Sequence, residues 1–301
     1  NVAIWLAAGL FMTSTAGMAS GPILPDPKAE ARHHPQIEET ANGIPLVNIT
    51  APSSGGVSRN EYEMFNVPDK GAILNNSYTL SKTELAGYVP GNNNMAERPA
   101  KIIVNEVTGT GSTSMDGFLE VAGNRADVVI ANPNGITVNG GGFINTGKAF
   151  LTTGKPVYDG EDHLQRFDIT GGDILIEGKG LGGKETESLA ILSRAVKINA
   201  GIWAEDLHIT TGANTVDAKT LEASAIEGKG GRPAFALDTA AIGGMYAGRI
   251  TLVGTEKGLG VNNSGTWSAE DNLTLDWNGD LKNSGTIYSK GNTCLLYTSD
   301  A

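Results

Sequence analysis

The chain has 301 residues, of which 41 are glycine and only 12 are proline, and charged residues make up 18% of it. Its formal net charge of -11 leaves no basic face for binding phosphate, so we expect neither nucleic acid nor an anionic membrane as its main partner. Abundant glycine with little proline favours many short strands joined by tight turns over a disordered chain.

The N-terminal region has the pattern of a secretory signal peptide. Residues 2–16 are mostly apolar and too few to span a bilayer securely, and the small residues Ala16, Gly17, Ala19 and Ser20 follow. The initiating Met and the basic start of such a peptide are absent. We therefore assign residues 1–20 to a partial signal peptide, with a buried helix as the alternative, and expect residues 21–37 to be an irregular lead-in.

From Ile44 onward, short apolar runs bounded by Gly, Asn or Asp predict β-strands. These runs are Lys101–Val107, Phe118–Val121, Asp127–Ile130, Asp173–Glu177, Ala195–Ile198, Leu207–Thr210 and Arg249–Val253. None has a sustained helical period, and only Ser188–Leu192 and Ala218–Ile226 are weakly helical in pattern. The sequence therefore predicts an all-β fold.

A short repeat indicates how these strands are arranged. The identical segments Asn263–Thr266 and Asn283–Thr286 begin 20 residues apart, with alternating apolar positions between them. Strands and turns at this period are typical of one coil of a parallel β-helix, in which Asn amides at the corners can bond between coils. The repeat favours this fold over an antiparallel sandwich, and we assign residues 263–293 to the start of a repeat array.

The last eight residues do not fit that repeat. Residues 294–301 are similar to the translation of a sequencing-library adapter, and we expect them to be an artefact. They contain Cys294, the single cysteine of the chain. Without it, the chain can form neither a disulfide nor a thiolate metal site.

No motif indicates catalysis, a cofactor or a metal. The glycine-rich segment Gly178–Gly183 lacks the following helix of a nucleotide loop, and Asp276–Asp280 departs from a calcium loop at its sixth and twelfth positions. The tryptophans Trp203, Trp267 and Trp277 could stack on sugars, but packing is the simpler use. We predict that the chain is not an enzyme. A β-helical polysaccharide lyase is an alternative, although the carboxylates are scattered.

Ordered motifs along the chain carry a family resemblance. They are Ala41–Ile49, Gly56–Ser58, Phe65–Val67, Gly71–Ser77, Ile103–Val107, Gly117–Gly123, Val129–Ile136, Gly142–Thr146, Ala195–Ala204 and Gly243–Ala247. In this order they resemble the two-partner-secretion domain of filamentous haemagglutinin and of contact-dependent-inhibition exoproteins. The resemblance covers residues 38–262, which we assign to that domain, and the repeats that follow resemble haemagglutinin repeats.

The resemblance implies a right-handed parallel β-helix with an N-terminal cap and extra-helical β-hairpins. It also implies export: the general secretory translocon carries the chain to the periplasm, where the POTRA domains of an outer-membrane barrel transporter recognise it. Folding would then begin at the cell surface, so the protein would be secreted or surface-bound. Adhesion to host or neighbouring cells, or toxicity, would reside in regions further downstream. Direct binding of cells or glycans by this segment is the alternative.

The same resemblance points to three groups of functional residues. Recognition by the transporter would involve first the motif Asn132, Pro133, Asn134, Gly135 and Ile136. The motif Asn92, Asn93, Asn94 and Met95 would take second place in that recognition. The third group is the cap motif, which is Asn42, Gly43, Ile44 and Pro45. Asn-Pro-Asn-Gly is also an ordinary tight-turn sequence, so a purely structural role stays open.

This chain departs from the family's pattern in two places. The family's Asn-Pro-Asn-Leu is replaced by Asn92–Met95, and Val138 and Gly141 stand where many toxin-type members have a Cys-x-x-Cys. The first departure removes the turn that proline fixes, although Asn still suits a turn and Met can fill an apolar slot. The second agrees with a chain that has no thiol before residue 294.

Overall fold

A computed structural model describes residues 21–96 and 98–297 of the chain. The predicted signal peptide, residues 1–20, lies outside the described residues. The described part is all-β, as predicted, with a single short 3-10 helix at Ala31–His33. It contains no helix long and apolar enough to cross a membrane.

The strands stack into three parallel columns, here called sheets A, B and C. Sheet A contains Pro45–Asn48, Ala72–Asn76, Phe118–Gly123, Gly141–Ile144, Leu181–Gly183, Thr266–Ala269 and Thr286–Ser289. Sheet B contains Val57–Phe65, Ile102–Val107, Ala126–Ala131, Thr146–Thr152, Ser188–Ser193, Leu273–Trp277 and Thr293–Tyr297. Sheet C contains Thr113–Met115, Ile136–Val138, Asp173–Ile176, Ala195–Ile198, Leu237–Thr239, Val261–Asn263 and Leu281–Asn283. Two long strands, Gly201–Thr211 and Gly244–Gly254, run through a corner and belong to both A and B.

The chain passes from sheet C to sheet A and then to sheet B in each coil, and every strand of these three sheets pairs in parallel with the strand one coil away. The pairing of the repeats is in register: Val261 lies beside Leu281, and Asn263 beside Asn283. The Nδ2 of Asn263 donates to the Oδ1 of Asn283 at 2.8 Å. The predicted parallel β-helix with 20-residue coils and bonded Asn corners is therefore confirmed.

The interior is a set of aliphatic ladders that run along the helix axis. In sheet B one inward position is occupied in successive coils by Ile130, Leu151, Ile191, Ile209, Leu252 and Leu275. All six side chains are completely buried. Burying each contributes about 1.5–3 kcal/mol, so successive coils hold one another by apolar contact. Trp267 and Trp277 are also buried in this core, which confirms that they pack rather than stack on sugars.

A cap of two short antiparallel strands covers the edge of the first coil. Ile23–Pro25 pairs with Val57–Phe65 of sheet B, and Gln36–Glu39 pairs with Pro45–Asn48 of sheet A. Both strands are only three or four residues long. Short edge strands reduce pairing with other chains, so the cap protects an edge that would otherwise invite aggregation.

Extra-helical elements cover the outside of the early and middle coils. The hairpin Ser81–Thr83 with Gly87–Val89 lies on sheet A, where Val89 packs with Ile73 and Ala122. A four-stranded antiparallel sheet lies on sheet B; its strands are Lys155–Tyr158, Leu164–Ile169, Asn214–Asp217 and Ala223–Ala225. Its Phe167 and Val216 pack with Val104, Val129 and Phe150 in a second apolar cluster.

The N-terminal lead-in, the two weakly helical segments and the last strand each bear on an expectation from the sequence. Residues 21–37 were expected to be irregular, but they contain a cap strand, the 3-10 helix and the start of the second cap strand. Neither weakly helical segment is a helix, since Ser188–Ser193 is a buried strand and Ala223–Ala225 is an extra-helical one. Thr293–Tyr297 pairs with Leu273–Trp277, with every side chain exposed. Whether residues 294–301 are an artefact stays a prediction.

Candidate functional site

The motif Asn132–Ile136 forms a tight turn, here called the second amide turn, between sheets B and C. The N–H of Gly135 donates to the carbonyl of Asn132 at 3.1 Å. The Oδ1 of Asn132 accepts the N–H of Asn134 at 2.9 Å, and its Nδ2 donates to the carbonyl of Gly111 at 2.9 Å. Gly135 has φ +112°, a conformation that only glycine adopts readily. The motif is thus required for the chain to leave sheet B and enter sheet C.

The motif Asn92–Met95 forms a first amide turn with the same bonding. The N–H of Met95 donates to the carbonyl of Asn92 at 3.1 Å, and the Oδ1 of Asn92 accepts the N–H of Asn94 at 2.9 Å. The Nδ2 of Asn92 donates to the carbonyls of Ile49 and Asn75, both at 2.9 Å. Met95 is buried in the core. The turn therefore forms without proline, and Met95 fills the apolar position as the sequence predicted.

Burial divides the residues of the two turns into two kinds. Asn92 and Asn132 are completely enclosed, as are Met95, Gly135 and Ile136. Asn93, Pro133 and Asn134 are exposed, and the half-buried Asn94 donates its Nδ2 to the carbonyl of Ile49. In the folded domain, only the exposed residues can touch a partner, whereas the buried asparagines tie loops of neighbouring coils together.

The cap motif Asn42–Pro45 is the turn between the second cap strand and the first strand of sheet A. The N–H of Gly43 donates to the carbonyl of Thr40, and Gly43 has φ +77°. Asn42 is exposed, and its Nδ2 donates to the carbonyl of Leu85 at 2.9 Å. Ile44 is buried beneath the hairpin that carries Leu85. The motif therefore joins the cap to the extra-helical hairpin.

A buried ionic cluster joins the other half of the cap to the first two coils. His33, in the 3-10 helix, lies 3.1 Å from Glu61, and Arg59 lies 2.8 Å from Glu61 and 3.4 Å from Glu106. Burial, together with Arg59, lowers the pKa of His33. Burial raises the pKa of Glu106, against the opposite effect of Arg59. The cluster is structural, because it is covered by the cap and by Tyr158, whose ring lies 4.5 Å from the guanidinium of Arg59.

A further set of buried asparagines, not predicted from the sequence, lies in the early coils. They are Asn48, Asn60, Asn75, Asn76 and Asn105. A signal for them exists, since Asn interrupts apolar runs such as Ile102–Val107 and Ala72–Asn76. Their side chains form hydrogen bonds to segments that are far away in the sequence.

The described residues contain no cluster of His, Cys, Asp or Glu that is suited to binding a metal.

Together, these features define a class of protein: a parallel β-helix that is capped at its N-terminal end, covered on its early coils and followed by bare repeats. Comparison with known proteins gives the family. The model of the TPS secretion domain matches residues 22–287, and the chain belongs to that family. A solved structure, the filamentous hemagglutinin secretion domain, superposes with a TM-score of 0.77 at 30% identity, covering 93% of this chain and all of the other.

The relatives that match most of this chain are much longer proteins. The "Toxin CdiA" of Yersinia pestis is 43% identical over an alignment of 298 residues that covers 91% of this chain and 9% of the relative. The "16S rRNA endonuclease CdiA" of Enterobacter cloacae is 43% identical over 280 residues, which is 92% of this chain and 8% of the relative. The chain thus spans less than a tenth of the curated relatives it matches. It is an N-terminal secretion domain of a large exoprotein of the two-partner-secretion type.

Proposed function

We propose that an outer-membrane barrel transporter recognises this domain in the periplasm and exports it, and that the domain then starts β-helix folding at the cell surface. The observation that carries the proposal is the asymmetry of the β-helix. Its first edge is closed by cap strands, and from that edge onward each coil pairs in parallel with the next as far as the repeats. A β-helix of this kind grows in one direction only, from the cap toward the repeats.

Growth in one direction can supply the free energy of export. The periplasm contains no ATP, and a stability of about 0.05–0.15 kcal/mol per residue gives about 1–3 kcal/mol for a coil of 20 residues. That is more than the thermal energy RT. Because each coil needs only its predecessor as a template, coils added outside the cell oppose backward movement of the chain.

The exposed and the buried residues of the two amide turns fit different parts of this function. The exposed Pro133 and Asn134 are the residues of the second turn that we expect to contact the transporter, and Asn93 is their counterpart in the first turn. The buried Asn92 and Asn132 act in folding, because their amides close loops between coils. In this proposal the motif serves recognition through its exposed residues and capping through its buried ones.

The activity of the whole protein belongs to regions beyond this chain. The relatives' names describe a toxin and an rRNA endonuclease, and we propose that this domain exports an effector of the CdiA type without being an enzyme itself. The full-length protein would then be secreted or held at the cell surface and act on neighbouring cells.

The test is transporter-dependent release. Residues 21–293, placed behind an intact signal peptide and fused to a reporter, should reach the medium only when the cognate transporter is co-expressed. Asn134→Ala should lower release while the purified domain loses about 1 kcal/mol of stability or less, whereas Asn132→Ala should lower release and cost more stability. Equal release with and without the transporter would contradict the proposal. Unchanged release of Asn134→Ala would limit the motif to a structural role.

A further inference from the structure

We propose that the buried asparagines of the early coils delay folding until the chain is present as far as residue 129, and so set the point at which the β-helix starts. This inference rests on the proposed function, since it names the residues that control nucleation. It follows from where the hydrogen-bond partners of each amide lie in the sequence.

In sheet B the first two coils carry an amide at an inward position. Asn60 and Asn105 lie side by side in register. The Nδ2 of Asn60 donates to the carbonyl of Val104, and the Nδ2 of Asn105 donates to the carbonyl of Val129 at 3.1 Å. The hydroxyl of Tyr62 donates to the Oδ1 of Asn105 at 3.0 Å. Satisfying these side chains therefore requires three strands, joined by hydrogen bonds that each span 24 to 44 residues of the sequence.

A second set of amides closes the corner after sheet A. The Nδ2 of Asn75 donates to the Oδ1 of Asn48 at 2.9 Å. The Nδ2 of Asn76 donates to the carbonyls of Ala100 and Asn124, each at 2.9 Å, and its Oδ1 accepts the N–H of Ala100 at 2.7 Å. The first amide turn joins this set through the bond from Asn92 to the carbonyl of Asn75.

The need for these hydrogen bonds raises the free energy of states in which the early coils are only partly folded. A buried amide without its partner loses its bonds to water and gains nothing in return, whereas a buried aliphatic side chain needs no particular partner. A chain that ends before residue 129 cannot satisfy Asn105, and one that ends before residue 124 leaves Asn76 without one acceptor. A first coil that folds before these segments are present is therefore unstable.

The later coils have no such requirement at the same place. The position of Asn60 and Asn105 is continued by Ile130 and Leu151, which pack on neighbours without hydrogen bonds. Each of these coils can therefore form as soon as its predecessor is in place. The early coils therefore fold late and together, and the later coils are added rapidly afterwards. This order suits a chain that must stay unfolded before export.

The test replaces the amide and its phenolic partner with the apolar residues of later coils. The double substitution Tyr62→Phe with Asn105→Leu is made in residues 21–297, and refolding from urea is followed by far-UV circular dichroism. The double substitution leaves neither side chain with an unpaired polar group, although the carbonyl of Val129 loses one donor, and it removes the penalty on partial structures. We expect folding to be about tenfold faster. Ile209→Leu, a volume-conserving change at the equivalent position of a later coil, should leave the folding rate unchanged.

A measurement on the unmodified chain tests the proposal even if the double variant fails to fold. Pulsed hydrogen exchange during refolding should show Pro45–Asn48, Val57–Phe65, Ala72–Asn76 and Ile102–Val107 gaining protection in one step. Protection of the first three before the fourth would overturn the proposal, as would a double variant that folds no faster than the unmodified chain. Neither result involves the transporter, so both are distinct from a failure of transporter-dependent release.

Discussion

The early and late coils of this β-helix share one geometry but are stabilised in different ways. Around Pro45–Val107 the coils carry buried asparagines, a cap and an external hairpin, so their contacts join segments far apart in the sequence. From Val261 to Ser289 the coils are bare outside, and their contacts repeat every 20 residues.

The difference shows that two parts of one repeat fold can differ in the cooperativity of their folding. Late coils depend on nearest neighbours, so their stability is a sum of similar steps. Early coils depend on polar groups that are costly when unpaired, so they form together or not at all. The boundary between the two regimes separates the part of the domain that starts folding from the part that extends it.

The largest expected effect is a local loss in the late coils. Trp267 is completely buried, and its Nε1 donates to the hydroxyl of Thr239 at 3.0 Å. Trp267→Ala should lower the free energy of unfolding of these coils by about 3–5 kcal/mol. Hydrogen exchange should show lost protection from Leu237 to Ser289, with Pro45–Val107 unaffected. Tyr288→Ala, at a half-exposed side chain, is the control, and equal loss in the early coils would contradict the division.

An intermediate effect should separate the two asparagines of the second amide turn. Asn132→Ala removes the acceptor of the Asn134 N–H and one donor to the carbonyl of Gly111, and should lower the free energy of unfolding by about 1–3 kcal/mol. Asn134→Ala removes exposed side-chain hydrogen bonds, to the carbonyls of Gly109 and Gly111, and should cost about 1 kcal/mol or less. Urea unfolding measures both. Equal costs would mean that burial does not divide the roles of the motif.

The smallest effect is a pH dependence in the cap. His33 faces Glu61 and Arg59, with Arg32 and Asp162 nearby, and its folded pKa lies below the usual 6.5. Protonation therefore favours the unfolded state. The contribution of neutral His33 to the free energy of unfolding is fully present above about pH 6.5, and it is lost as the pH falls through that value toward the folded pKa. His33→Gln should reduce the fall in the urea midpoint between about pH 7.5 and about pH 5.

The neighbouring exposed histidine supplies the control for this pH experiment. His34→Gln should keep the full pH dependence of the unmodified chain, because its side chain lies outside the buried cluster. A fall of the same size in His33→Gln would contradict this role, and Glu106 could not account for it, because a raised folded pKa makes stability increase as the pH falls.

Most of the architecture could be predicted from the sequence. Short apolar runs bounded by Gly and Asn marked the strands, and the Asn-Ser-Gly-Thr repeat gave the coil period that the pairing of Val261 with Leu281 confirms. The turns at Asn92 and Asn132 were also expected. What could not be predicted was which residue of each turn is buried, because that depends on loops such as Gly111 that pack against it from other coils.

The sequence alone determined the all-β content, the parallel stacking and the family, since these follow from local patterns that repeat along the chain. Only the tertiary structure decided that residues 21–37 form cap strands and that Asn48, Asn60, Asn75, Asn76 and Asn105 are internal ties. The reason is physical: these roles arise from hydrogen bonds between segments about 20 to 50 residues apart, and no local pattern specifies the partner of a buried amide.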